Sequence, residues 1–216
     1  MRPKTFAFAT AAFAALGLAA SSVQAGITYV GYGTALPTGE KLVTDFNPTI
    51  LPAGYALGGT GEFLSGTTGD GAAPAYSANT YDTGTYLSVL GAQTETLTIT
   101  KPDVDQISVY VGSLDTYNTI AFVAGGHTYT YTGAELEAYT GGIANGDQSS
   151  SLTNGRFTFS FGAPISSVTF SSSENSFEIA DIAANVPEPG TWALMIAGVA
   201  MMGAGLRFAR RQGVPA

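Results

Sequence analysis

Three oxygen-rich clusters are where the residue types and spacing of this chain point to chemistry: Asp103-Val104-Asp105, Asp115 with Asn118, and Asn145-Gly146-Asp147-Gln148. Carboxylate and amide oxygens gathered in turns are the ligands Ca²⁺ takes. Asp103, Asp105, Asp115 and Asn118 are therefore candidate ligands for Ca²⁺ or for a sugar hydroxyl. The competing reading is structural, because Asp and Asn side chains bond to turn backbone and tolerate left-handed conformations. No EF-hand or repeat spacing accompanies the clusters.

Other chemistries find less to work with. The one histidine, His127, sits among alternating Thr and Tyr residues. A Ser-His-Asp triad would have to use it, and no Gly-x-Ser-x-Gly elbow places a serine. Cysteine is absent, which removes thiol nucleophiles, disulfides and the usual zinc patterns. Carboxylates are plentiful enough for a glycoside-hydrolase pair, but between residues 26 and 185 there is no Trp and a single Arg, Arg156, to stack on or clamp a sugar. The expectation is a protein that is not an enzyme and has no cofactor, with Ca²⁺ the one ion its residues suit.

The elements that must position these clusters are strands. Ile27, Tyr29 and Gly31 share one face of a first strand over 26–32. Residues 34–84 are broken by Pro37, Pro48, Pro52 and Pro74 and by many glycines, with 42–46 and 61–64 the best strands there. Beyond Thr85 the alternation is regular. Residues 85–90 and 95–100 read as two antiparallel strands, and 106–112 points Ile107, Val109 and Val111 inward. Residues 119–123 and 128–132 flank Gly125-Gly126 as a hairpin. Thr132-Gly133-Ala134-Glu135 has capping-box spacing and predicts one short helix over 133–139. Phe157, Phe159 and Phe161 share a face, as do Val168 with Phe170, and Phe177 with Ile179 and Asp181. The fold class is all-β: a single β-sandwich of the jelly-roll or lectin-like kind over 26–185.

That domain holds fifteen Asp and Glu against Lys41, Lys101 and Arg156, a net charge near −12. Nucleic acid and anionic lipid would be repelled. It is flanked by two address segments. Residues 1–25 carry Arg2 and Lys4, an apolar run from Phe6 to Ala20, and the small-residue site Val23-Gln24-Ala25. This is a secretory signal peptide, cut by signal peptidase between Ala25 and Gly26. At the other end, Pro187 and Pro189 hold an extended spacer, and an uncharged run of 16 residues follows from Thr191 to Leu206. As a transmembrane helix it would span roughly 24 Å against a hydrocarbon core of about 30 Å. Trp192 suits the outer interface, and Arg207, Arg210 and Arg211 the cytoplasmic side, with Arg207 snorkelling.

Pro187-Glu188-Pro189, the nearby Trp192, the glycine-containing apolar helix and the terminal arginines resemble the PEP-CTERM sorting signal, here over 186–211. The resemblance implies recognition in the inner membrane of a Gram-negative bacterium by an exosortase, an integral-membrane cysteine protease. Pro187, Glu188 and Pro189 would be the recognition tripeptide, and Arg207, Arg210 and Arg211 the retention cluster. The anchor would be transient, with passage to the cell surface or exterior.

A second resemblance covers about 85–184. Tyr86-Leu87-Ser88-Val89, the stretch from Tyr110 to Phe122, Asn145-Gly146-Asp147-Gln148 and Asn175-Ser176-Phe177-Glu178-Ile179 are similar to one group of exosortase-dependent surface proteins. That group often has Trp where this chain has Val111, and Phe-Glu-Phe-Asp-Asn in its final strand where this chain has Ile179-Ala180-Asp181. It implies a secreted β-sandwich and no particular activity. The functional expectation is an exported, non-enzymatic component of the cell surface or extracellular matrix, linked to exopolysaccharide and biofilm. The alternatives are a carbohydrate- or Ca²⁺-binding module and, third, a secreted hydrolase.

Overall fold

The computed structural model describes residues 26–47, 50–75, 84–185 and 196–202. Up to Asn185 they comprise twelve strands and one short helix: β1 (Ile27–Gly33), β2 (Glu40–Thr44), β3 (Tyr55–Gly59), β4 (Glu62–Ser65), β5 (Thr85–Val89), β6 (Thr94–Ile99), β7 (Gln106–Gly112), β8 (Asn118–Ala124), β9 (His127–Thr132), α1 (Gly133–Thr140), β10 (Gly155–Phe161), β11 (Ile165–Ser172) and β12 (Phe177–Asn185). They form two sheets. The larger runs β1-β10-β7-β12-β5-β4, with β2 also paired to β12; the smaller runs β3-β6-β11-β8-β9.

Strict alternation builds the core between them. Phe157, Phe159 and Phe161 are 1%, 0% and 3% exposed and face β8 and β9 of the smaller sheet. The Phe159 ring lies 4.5 Å from Phe122 and 5.4 Å from Tyr131, and Phe161 lies 5.3 Å from Tyr129. Such ring pairs each add about 0.5–1.5 kcal/mol beyond the area they bury. Ile107, Val109 and Val111 of β7 join the same core. The hairpin at Gly125-Gly126 joins β8 to β9, both glycines with positive φ. Thr132 and Glu135 close the capping box at the start of α1.

The sheets differ in what covers them. Ser108 and Tyr110, on the outer face of the larger sheet, are 0% exposed. Residues 66–75 lie over that face: Gly66 O accepts from the Tyr86 hydroxyl at 2.8 Å, Asp70 O from Ser88 Oγ at 2.6 Å, and Ala75 O from the Tyr110 hydroxyl at 2.8 Å. The outer face of the smaller sheet has no such cover among the described residues; its outward positions are exposed or half-buried.

Four expectations need correction. β5 and β6 do not pair with each other. The connection at 90–93, with Ala92 at φ 64°, carries the chain from one sheet to the other, so that Leu87 and Val89 meet Leu97 and Ile99 across the core. Tyr29 is 57% exposed, because a register shift between Ile27 and Tyr29 hands the inward face to Val30 and Tyr32. A second shift, between Ile179 and Asp181, turns Asp181 to the outer face and puts Ile182 and Ala184 in the core. β3, hidden among glycines, was not expected at all.

Residues 1–25 lie outside the described residues, as do Pro187, Glu188, Pro189, Trp192, Arg207, Arg210 and Arg211. Of the apolar run, 196–202 is helical with Ile196, Val199, Met201 and Met202 exposed. Among the described residues no helix is long and apolar enough to cross a membrane.

Candidate functional site

The stretch from Gly112 to Asn118 carries the chain from β7 in one sheet to β8 in the other. Ser113 takes a left-handed conformation, φ 36°, and Leu114, 1% exposed, caps the core. Asn118 is wholly buried: its side-chain oxygen accepts from Asp115 N at 2.7 Å, and its amide donates to Ser172 Oγ at 3.3 Å and to Ser176 O at 3.1 Å. Every polar atom of that side chain holds the corner together. Tyr117 does not enter the core. It is half-buried, and its hydroxyl lies 2.7 Å from Asp115 Oδ2 and 3.0 Å from Asn175 O.

This corner is one wall of a cavity of about 300 Å³. Ser113, Asp115 and Tyr117 come from the corner, Asn145 and Gln148 from the loop after α1, and Glu178 from the start of β12. Glu178 is held by Ala72 N at 3.1 Å, by Ser113 Oγ at 2.7 Å and by the Ser176 hydroxyl. The Asp115 carboxylate sits against Gly146, where a Cβ would come within 2.6 Å of Oδ2. Burial raises the Asp115 pKa, opposed by the Tyr117 hydrogen bond and reinforced by the charge of Glu174. Burial, followed by the bond to and charge of Asp115, raises the Tyr117 phenol, which remains a donor at neutral pH. The cavity therefore offers carboxylate and amide acceptors, amide donors and one phenol. It suits neutral or cationic hydroxylated ligands and disfavours anions. No group of three or more His, Asp and Glu among the described residues is placed to hold a metal ion.

Asp103 and Asp105 lie elsewhere. They precede β7, whereas Asp115 follows it, and seven strand residues separate the two by about 23 Å. Asp105 Oδ1 accepts from Asn185 Nδ2 at 2.8 Å, and Asp103 O from the same amide at 3.4 Å. The four candidate ligands thus belong to opposite ends of the sandwich and do not form one site. His127 is exposed at the start of β9.

Sequence reasoning missed a second polar constellation. On the outer face of the larger sheet Arg156 pairs with Asp181, and its Nη1 donates to Ser108 Oγ at 3.0 Å. The Ser108 hydroxyl donates to Glu40, which also accepts from Gln106 Nε2 at 2.9 Å. Among the described residues Arg156 Nε has no partner. Burial, the dominant cause, raises the Glu40 pKa against the pull of Ser108, Gln106 and Arg156. The sole arginine of an acidic domain was the available signal; the bulge that turns Asp181 toward it leaves none.

Residues 185–211 match the family model of the PEP-CTERM protein-sorting motif. No curated protein matches the chain. Among solved structures, a chain described as "Peptidoglycan O-acetylesterase in action, 5 min" aligns over 73% of this chain at 15% identity and a TM-score of 0.35. This chain spans 34% of that one, and a likeness of that degree carries no argument about fold or chemistry.

Proposed function

We propose, from the premise that this chain carries a PEP-CTERM motif and is an exported protein sorted by an exosortase toward the cell surface, that residues 26–185 form a non-enzymatic surface or extracellular-matrix component working beside exopolysaccharide. The observation that carries the reading is the junction at Asn185. The central strand of a folded, strongly acidic domain ends there, and the sorting motif begins at the same residue. Pro187 and Pro189 of the motif follow directly in sequence. At the other terminus β1 begins at Ile27, one residue after the expected signal-peptidase site. Inside the domain, the hydroxyls of Ser108 and Ser113 donate to the carboxylates of Glu40 and Glu178, an arrangement unlike a Ser-His-Asp triad.

Intact-mass measurement of the exported protein, from cells with the matching exosortase, tests the route. The expected species begins at Gly26 and lacks the apolar helix and arginines. A mass that retains Trp192 to Ala216 in such cells would remove the sorting claim. Glu188→Ala is expected to hold the protein in the inner membrane, and fractionation should find the wild type with the surface or matrix.

A second reading, a carbohydrate- or Ca²⁺-binding module, is favoured by the cavity at Asp115 and Glu178. Thermal melts of wild type and Asp115→Ala, each with Ca²⁺ and with chelator, address the ion. A difference between the proteins that exists only with Ca²⁺ supports this reading, and a difference independent of Ca²⁺ opposes it.

A further inference from the structure

The smaller sheet presents a grid of hydroxyls to solvent. Its middle row reads Gly58–Thr96–Thr169–Ala121–Thr130 across all five strands in register. The row on one side reads Ala56–Thr98–Ser167–Val123–Thr128; the row on the other passes through Thr94, Ser171, Thr119 and Thr132. No position in the three rows is charged, on a domain with fifteen carboxylates. Thr96 and Thr169 bond to each other at 3.0 Å, and Thr132, at the border, caps α1. The hydroxyls of Thr98, Thr119, Thr128 and Thr130 have no partner among the described residues. Where β3 meets β6, a shallow groove of about 120 Å³ runs along the grid between Ala56, Thr98 and Thr100.

We infer that this face binds a neutral, polyhydroxylated polymer, an uncharged polysaccharide chain laid across the strands. Each threonine offers a hydroxyl that both donates and accepts, beside a methyl group. A sugar ring presents the same two features as hydroxyl edges and C–H faces. Repetition at about 4.8 Å between strands and about 6.8 Å along them lets a repeating chain make many weak contacts at once, which a free monosaccharide cannot do. Charge decides the class: an anionic polymer is repelled by the domain, and a polycation is drawn to the carboxylates on other surfaces. Size argues against a second copy as occupant. Three rows by five strands cover about 500 Å², short of the roughly 800 Å² per partner of a stable protein interface. The inference deepens the matrix reading by naming a ligand class, and it rests on that reading only for where the ligand is met.

The test uses the exported protein purified as the cell processes it, sedimented with cellulose, curdlan or dextran-coated beads as neutral probes, alginate as the anionic one and chitosan as the cationic one. Retention on at least one neutral probe and not on alginate is expected. Thr98→Val with Thr130→Val, which keeps shape and methyl groups, should lower the retained fraction at least fivefold at an unchanged Tm. Absence of retention on all three neutral probes overturns the inference, as does equal retention of the valine variant. Retention on chitosan alone also overturns it, assigning binding to the carboxylates. A dimer in sedimentation equilibrium that the valine variant abolishes overturns it in favour of self-association. Because these assays use purified protein, a negative result leaves the matrix reading to be judged separately, by cell fractionation.

Discussion

Arg156 and Asp181 form an ion pair across an intervening strand. Both stand opposite Tyr110 in register, Arg156 from β10 and Asp181 from β12. The guanidinium reaches over the Tyr110 ring, 5.7 Å from its centroid, to the carboxylate. Both side chains are almost fully buried, so removing one partner strands the other charge. Arg156→Met alone should cost about 3–5 kcal/mol in denaturant unfolding, and Arg156→Met with Asp181→Leu should recover most of that loss. A double variant as unstable as the single one would show that the pair contributes more than its desolvation costs.

Burial raises the pKa of Glu40, Glu95 and Asp115 above the ordinary carboxylate value. Each binds its proton more tightly folded than unfolded, so the folded state holds more protons in the window between the two values. Stability therefore falls as pH rises through that window. The domain should melt higher at about pH 5 than at pH 7, and Glu40→Gln should flatten the slope. A Tm that climbs steadily from pH 5 to pH 7 would contradict this.

Asn118 and Asp115 belong to the same corner but should respond differently to truncation. Asn118→Ala leaves Asp115 N and Ser176 O without the bonds shown, in a buried setting, and should cost about 1–3 kcal/mol for each group left unpaired. Asp115→Ala removes a half-buried carboxylate whose ionisation burial already opposes, and should cost about 1 kcal/mol or less. Thermal unfolding of the two variants checks the order.

Phe159 and Thr158 test the core directly. Phe159→Ala should cost about 3–5 kcal/mol, because the ring bridges the two sheets. Thr158→Ala, on the other face and half-buried, should cost well under half as much. Equal losses in denaturant titrations would mean that β10 is packed equally on both faces.

What was legible in the sequence was local and periodic. Phe157, Phe159 and Phe161 declare a strand because the side-chain period of a strand is two, and Thr132 with Glu135 declares a helix start. What was not legible was relational. Alternation cannot say whether two successive strands pair or cross to opposite sheets, which is how β5 and β6 were misjudged. A bulge shifts the period by one residue without a mark in composition, and it moved both Tyr29 and Asp181. For the candidate site, the segments 112–118, 145–148 and 175–178 stood out singly. Only the topology, by placing the end of β7 beside the start of β12, brings them to one cavity and leaves Asp103 and Asp105 at the far end.

The larger sheet is joined by the strand made last. β12 pairs with β7 on one edge and with β5 and β2 on the other. Until it arrives, β1, β10 and β7 on one side are not connected by ladder bonds to β2, β4 and β5 on the other. Synthesis runs from the N-terminus, so every residue before Phe177 is made before the strand that locks the halves together. Pairings so distant in sequence also form slowly. The larger sheet therefore cannot be completed before the stretch next to the sorting motif has been made.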